Sequence, residues 1–252
     1  MERLRFAAAA YSNSAPLVAC LQQVDARVEV VHGVPSSHVA ELLAGRVDCA
    51  LIPVAHAMAH PTLQLLDHVG VAANGAVRSV LLKCHKPAKE IITVARDPAS
   101  GTSNVLAGLV LQHHVGVAVD MVDYVTGADA EVVIGDRALL SPPASGGDID
   151  LAEAWKALTG LPFVFAVWAV RPGAENVADL DAITQEAAAL GVRAIPALAQ
   201  AYAQDLGESA AFWQTYLQEA IHFTLTDADR EAMEQFQMMA AVHEVLAAQM
   251  ED

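Results

Sequence analysis

Three short polar stretches carry the residue types that could do chemistry: Ser12-Asn13-Ser14, Pro35-Ser36-Ser37 and Ser100-Gly101-Thr102-Ser103-Asn104. Each follows an apolar run and precedes a helical pattern. Free N–H groups at a helix start, joined by side-chain hydroxyls, bind carboxylate or phosphate without needing many cations. One such stretch is no more than an ordinary helix cap. Three in the same topological place predict an anion site, because ligands of open α/β sheets sit beyond the carboxyl ends of the strands. The third stretch lacks the lysine and glycine spacing of a P-loop, which argues against a nucleoside triphosphate. Arg78-Ser79 interrupts a further apolar run, Val77 to Cys84. A buried arginine or serine there needs a partner, either a ligand or a carboxylate, whereas an edge position would leave Arg78 exposed. Gly135-Asp136 reads as a strand-to-helix corner with an N-cap aspartate. Asp148 and Asp150 stand at a helix start, where capping outranks an acid–base role.

Other chemistries find less support. His56 and His60 are four apart, with His68 beyond them, but no glutamate completes an HExxH pattern. His113 and His114 are adjacent and face different ways on a helix. No metal is expected. Cys20, Cys49 and Cys84 are odd in number and lack ligand spacing, so they read as reduced thiols. No GxSxG elbow is present. A net charge of −16 argues against nucleic acid as a partner. It also requires any anionic ligand to be held by local donors, since the overall field repels it.

These residues need a scaffold, and the pattern is α/β. The 252 residues are 54% hydrophobic and 17% charged, enough to bury a sizeable core. Strands are expected at Leu4–Ala10, Val28–His32 and Val47–Ile52, alternating with helices after Pro16 and Pro35, which predicts a parallel sheet. Val77–Cys84 is a further strand. A second rhythm begins with a strand at Ile91–Ala95 and a helix over Val105–His113, then strands at Val117–Val125 and Glu131–Ile134. Asp148–Val170 organises the rest. Its first half is an amphipathic helix with Leu151, Ala154, Trp155 and Leu158 on one face, Asp150 as N-cap and Gly160 as its stop. Its second half, Phe-Val-Phe-Ala-Val-Trp-Ala-Val, reads as a strand buried on both faces. After Arg171-Pro172-Gly173 the pattern is helical to the end. The expected architecture is two lobes around a central cleft: residues 1–85 with 172–252, and residues 86–171. That is the type II periplasmic-binding-protein fold with a helical C-terminal region. No apolar stretch is long enough to span a membrane, and Met1–Tyr11 reads as a first strand rather than a signal peptide, so a cytoplasmic location is expected.

Several blocks together resemble a known family. Tyr11-Ser12-Asn13-Ser14-Ala15-Pro16, Val47-Asp48-Cys49-Ala50-Leu51-Ile52-Pro53, Arg78-Ser79-Val80-Leu81-Leu82, Ser100-Gly101-Thr102-Ser103, Ile134-Gly135-Asp136-Arg137-Ala138-Leu139 and Leu158-Thr159-Gly160-Leu161-Pro162-Phe163-Val164-Phe165-Ala166-Val167-Trp168 are similar to chorismate dehydratases. These enzymes open the futalosine route to menaquinone. Family members often carry Leu-Asn in the first loop where this chain has Ser12-Asn13, which keeps the asparagine. The sister enzyme of the same route, 1,4-dihydroxy-6-naphthoate synthase, carries a loop resembling Ser-Pro-Cys-Pro-Asn-Asp and ranks second. A cytoplasmic, non-catalytic binder of a small carboxylate is the third reading. The resemblance implies a hydro-lyase that needs no cofactor and converts chorismate to 3-[(1-carboxyvinyl)oxy]benzoate. It implies that Asn13 and Ser79 act on the reacting ring, while Ser100, Thr102 and Ser103 hold a carboxylate. Tyr11, Ser14, Ser36, Arg78 and Asp136 complete the expected substrate-binding set. The expected partner is this dicarboxylate alone, with no nucleic acid and no membrane, and a homodimer is the candidate assembly.

Overall fold

The computed structural model describes residues 3–123 and 126–250, with the side chains of Ser36 and of residues 243–250 outside that description. The chain opens with β1 (Leu4–Ala8), a 3-10 turn at Ser12–Ser14, α1 (Ala15–Val18), α2 (Leu21–Val24), β2 (Val28–His32), a second 3-10 turn at Pro35–Ser37 and α3 (His38–Leu43). It continues through β3 (Cys49–Pro53), α4 (Val54–Ala59), β4 (Gln64–Ala73), β5 (Val80–Cys84) and β6 (Thr93–Ala95). Next come α5 (Gly101–Val110), β7 (Asp120–Val122), β8 (Ala130–Ile134), α6 (Gly135–Leu140), β9 (Asp148–Asp150), α7 (Leu151–Thr159) and β10 (Phe163–Val170). The last elements are α8 (Val177–Arg193), α9 (Ile195–Leu206), α10 (Ala210–Thr215), β11 (His222–Thr224) and α11 (Asp227–Met250).

Two units result, the first from Met1–Ala72 with Val164–Thr226, the second from Ala73–Phe163 with Asp227–Asp252. The first holds a six-stranded sheet in the order β11-β4-β10-β3-β1-β2. As the alternating pattern predicts, β1 runs parallel to both β2 and β3. The long apolar strand β10 is central and buried on both faces, but it is antiparallel to β3, with Trp168 opposite Leu51. Phe6 meets Trp168 edge to face at 5.7 Å, and both are fully buried. Behind them α8 lies against α1. A Cβ at Gly191 would sit 1.8 Å from the Pro16 carbonyl oxygen, so only glycine permits this approach. Gly70 on β4 is held to glycine similarly, since its Cβ would be 2.6 Å from the Ala166 carbonyl oxygen.

The second unit holds a five-stranded sheet in the order β7-β6-β8-β5-β9. β6 is parallel to β7 and β8, whereas β5 is antiparallel to β8 and β9. Its aromatic centre joins Trp155 of α7, Phe163 and Phe236 of α11, with ring centroids 5.2–6.0 Å apart in edge contacts. Trp155 donates its indole N–H to the Pro162 carbonyl at 2.9 Å, so a large aromatic is buried with its one donor satisfied. α7 begins and ends as its sequence dictates. Asp150 accepts from the Ala152 and Glu153 N–H groups, and Gly160 turns left-handed at φ 76°.

Several expectations are corrected. β5 belongs to the second sheet, and the units divide at 72/73, 163/164 and 226/227, against the 85/86 and 171/172 read from composition. The reason is pairing: β5 takes its hydrogen bonds from β8 and β9, which no local pattern records. β4, β9 and β11 are strands that the sequence pattern does not announce, and β11 interrupts the helical tail. The tail itself is shared out, α8 to α10 with the first unit and α11 with the second. Of the strand expected at 117–125, β7 covers only Asp120–Val122, and residues 124 and 125 lie outside the described residues.

Candidate functional site

In the second unit the candidate residues gather at one end of the sheet. β6 and β8 are parallel neighbours, so the loops after them leave from the same side. β5 runs opposite to β8 with Val80 facing Ile134, which brings the start of β5 to that same side. The three adjacent strands therefore place Ser100–Ser103, Gly135–Asp136 and Arg78–Ser79 together. Hydrogen bonds join the pieces. The Gly135 N–H donates to the Ser79 carbonyl at 2.8 Å. Arg137 of α6 donates to Asp97 Oδ2 at 2.7 Å. Asp97 in turn exchanges two 2.9 Å bonds with the Asn104 side chain, through its own N–H and its own carbonyl.

Ser100 is the N-cap of α5, accepting from the Ser103 N–H at 3.1 Å. Its hydroxyl also donates to Ser103 Oγ at 2.8 Å. Ser103 then keeps its own hydroxyl hydrogen for an acceptor, which suits a carboxylate at the start of a ten-residue helix. Ser100, Thr102 and Ser103 are all buried. Ser79 is fully buried and its Oγ has no hydrogen-bond partner. That is costly in a folded protein. Arg78 is not inside a strand as expected. It is exposed, precedes β5 and adopts a left-handed backbone at φ 65°. Asp136 is half-buried in the first turn of α6, whose N-cap position is taken by Ile134, so the N-cap reading of Asp136 is corrected. Gly135 at φ 66° makes that corner.

Asp148 and Asp150 are both occupied. Lys83, only 5% exposed, donates to Asp148 Oδ2 at 2.8 Å and to the Pro142 carbonyl at 2.6 Å. Asp150 caps α7 and also accepts from the Arg78 N–H at 2.6 Å. Burial pushes its carboxyl up, against the pull of the backbone N–H groups of Arg78, Glu153, Val77 and Ala152.

In the first unit, the carboxyl ends of the parallel strands β1, β2 and β3 carry the other candidates. Tyr11 and Asn13 are half-buried in the loop after β1, and Ser12 is fully buried. Ser14 shares its one hydroxyl hydrogen between the Ala9 and Tyr11 carbonyls, 2.8 and 2.9 Å from Oγ, which shapes the turn carrying Asn13. Ser36 lies in the turn Pro35–Ser37, its side chain outside the described residues. His38, which no spacing singles out, follows directly. Its Nδ1 lies 3.2 Å from the Leu51 carbonyl, and a carbonyl only accepts, so Nδ1 carries the hydrogen. Nε2 is then a lone pair, buried and without a partner, and burial holds the ring's pKa below the usual histidine value. The buried indole N–H of Trp168 also lacks a partner. A Cβ at Gly33 would press on Nε2 at 3.1 Å.

The remaining histidines do not converge. His60 bonds the His56 carbonyl through Nδ1 at 3.0 Å, and His68 pairs with Asp181 at 3.3 Å. Among the described residues no three His, Cys, Asp or Glu side chains form a metal-ligand set. The three thiols are buried and unpaired with one another. No described helix is long and apolar enough to cross a membrane.

The fold is that of the periplasmic binding proteins. The aliphatic sulphonate binding protein SsuA of Escherichia coli superposes with a TM-score of 0.67 at 18% identity, over 98% of this chain and 94% of its own. Family membership follows from sequence: the menaquinone biosynthesis family matches residues 4–242, and the chain belongs to it. A chorismate dehydratase of Thermus thermophilus is 32% identical over 90% of this chain and 91% of its own length. Another, from Campylobacter jejuni, is 36% identical over 56% of this chain and 53% of its own length.

Proposed function

We propose that this chain is a hydro-lyase that converts chorismate to 3-[(1-carboxyvinyl)oxy]benzoate and water, in the futalosine route to menaquinone. The observation that carries the reading is the near full-length similarity to the Thermus thermophilus chorismate dehydratase. The local chemistry agrees with it. Chorismate is a dianion, and this acidic chain must hold it with neutral donors, of which Thr102 and Ser103 at the start of α5 supply one set, with Ser100 orienting Ser103 by donating to its Oγ. In the reaction the C–H bond at the ether-bearing ring carbon breaks and its electrons form a ring double bond. The neighbouring C–O bond breaks, hydroxide departs, and proton and hydroxide together make the water lost.

Aromatisation makes the elimination downhill, so the protein has mainly to fix geometry and help the hydroxide leave. Ser79 Oγ, a buried hydroxyl with no acceptor of its own, is assigned a hydrogen bond to the reacting ring, and Asn13 the same role from the loop after β1. The enolpyruvyl carboxylate of the substrate is assigned as acceptor of the ring proton. The test is to give purified, chelator-treated protein chorismate alone and follow ultraviolet absorption and product mass. Loss of the chorismate chromophore with appearance of the enolpyruvyl benzoate is expected. Intact chorismate with turnover of cyclic dehypoxanthinyl futalosine would assign the sister activity instead. Binding without turnover of either would make the chain a carboxylate-binding protein.

A further inference from the structure

Arg78 and Glu208 are the described non-glycine residues with a left-handed backbone. In that conformation the Cβ crowds the following carbonyl, so something must hold Arg78 there. What holds it is a side chain 72 positions away. Asp150 Oδ2 accepts the Arg78 N–H at 2.6 Å. Its other oxygen, Oδ1, accepts the Ala152 and Glu153 N–H groups at 3.1 Å each. Asp150 is itself fixed by strand pairing, opposite Leu81 of β5. One carboxylate thus ties the start of α7 to the backbone N–H of the residue that precedes Ser79. The Gly135 N–H fixes the carbonyl side of Ser79 at 2.8 Å.

We propose that Asp150 is a positioning residue: by holding Arg78 left-handed it keeps the Ser79 hydroxyl aimed away from the protein's own acceptors and toward the reacting substrate. The inference rests on the proposed function, in which Ser79 touches the substrate. A buried hydroxyl without a partner gains by any backbone change that finds it an acceptor. Relaxing Arg78 into the extended region would permit such a change, because it would continue β5 backwards and reset the direction of Ser79. A carboxylate can meet these three N–H groups with both its oxygens where an amide cannot. In Asp150→Asn one acceptor oxygen is replaced by an NH2 that faces donors.

A double-mutant cycle between positions 150 and 78 tests this. Glycine at 78 takes the left-handed conformation without strain, so it reduces the need for the clamp. Asp150→Asn in the Arg78 background is expected to lower kcat about tenfold or more with a much smaller change in KM, as misplacement of a reacting group does. In the Arg78→Gly background the same change is expected to cost less than about threefold in kcat. A role confined to capping α7 would lower thermal stability alike in both backgrounds and leave kcat of the folded protein unchanged. Unchanged kcat in Asp150→Asn, or equal losses in both backgrounds, would overturn the proposal. Wild-type turnover of chorismate is the control on the underlying reading. Amide exchange at Arg78 reports the clamp without turnover: it should be slow in the wild type and at least about tenfold faster in Asp150→Asn, and equal rates would overturn the clamp.

Discussion

Replacing Ser79 by alanine should make the ligand-free protein more stable and the enzyme nearly inactive. Ser79 is fully buried and its Oγ has no partner, so the folded state carries a desolvated hydroxyl that water would satisfy in the unfolded chain. Leaving such a group unpaired costs about 1–3 kcal/mol. Alanine removes the oxygen and keeps the Cβ, so the void it leaves is smaller than a methyl group and offsets only part of the gain. A net stabilisation of about 1 kcal/mol is expected, which for a chain of this size raises Tm by about 2–4 °C. Loss of one donor aimed at charge that develops in the transition state should lower kcat by about 10²–10³-fold. Calorimetry on the two proteins without ligand gives the first quantity, and the chorismate absorbance assay gives the second. A variant destabilised by about 1 kcal/mol or more would mean that Oγ is bonded inside the protein, and the reasoning from its isolation would fail. A variant that is stabilised yet fully active would make Ser79 an ordinary core hydroxyl.

Other perturbations read other parts of the structure. Replacing Thr102 and Ser103 by alanine should weaken binding of a chorismate analogue at least about tenfold, since hydrogen bonds to charged groups contribute about 1.5–3 kcal/mol each; unchanged affinity in isothermal titration would reduce the loop to a helix cap. The Lys86 ammonium beside Asp129, together with the Ile92 and Thr93 N–H groups, holds the Asp129 carboxyl down at about 2. A lowered carboxyl pKa contributes stability above its ordinary value near 3.9, and that stability is lost as pH falls through about 2. The fall of Tm between about pH 4 and pH 2 should therefore be shallower in Asp129→Asn than in the wild type. Burial pushes the Cys84 thiol up to about 11 and raises Cys49 as well. With Cys20 also buried, all three thiols should resist a thiol-disulfide reagent at pH 8 and react on unfolding; rapid native labelling would contradict the burial.

Much of the scaffold was written locally. β2 spans the Val28–His32 expected of it, and Asp150 and Gly160 bound α7 because capping and a left-handed stop are local chemistry. The apolar run of β10 reads as a strand buried on both faces for the same reason. What stayed hidden depends on partners far along the chain. β4 begins exposed, passes through Asp67 and His68, and needs glycine at 70 only because the Ala166 carbonyl lies there. β9 and β11 are three residues each and exist through pairing. Val77–Cys84 looks like one strand, yet it begins only at Val80, with the Arg78 N–H turned to Asp150 just before Ser79. The Ser100–Asn104 loop was legible as a cap. Asn13 and Ser79 were legible as polar candidates and only their roles on the ring entered through family resemblance, while the orphaned Oγ of Ser79 and Nε2 of His38 are facts of packing that no spacing encodes.

The six-stranded sheet has a consequence for how the chain is made. Its centre is β10, which pairs with β3, and β1 meets β10 across β3 through Phe6 and Trp168. About 110 residues separate the end of β3 from the start of β10, so at roughly 5–20 residues per second a ribosome needs about 5–20 s to deliver the partner. The second sheet offers no earlier finish, since the Trp155–Phe163 cluster waits for Phe236. Throughout that interval the apolar faces of β1 and β3 are synthesised without their cover. Such a chain should depend on a holding chaperone during translation.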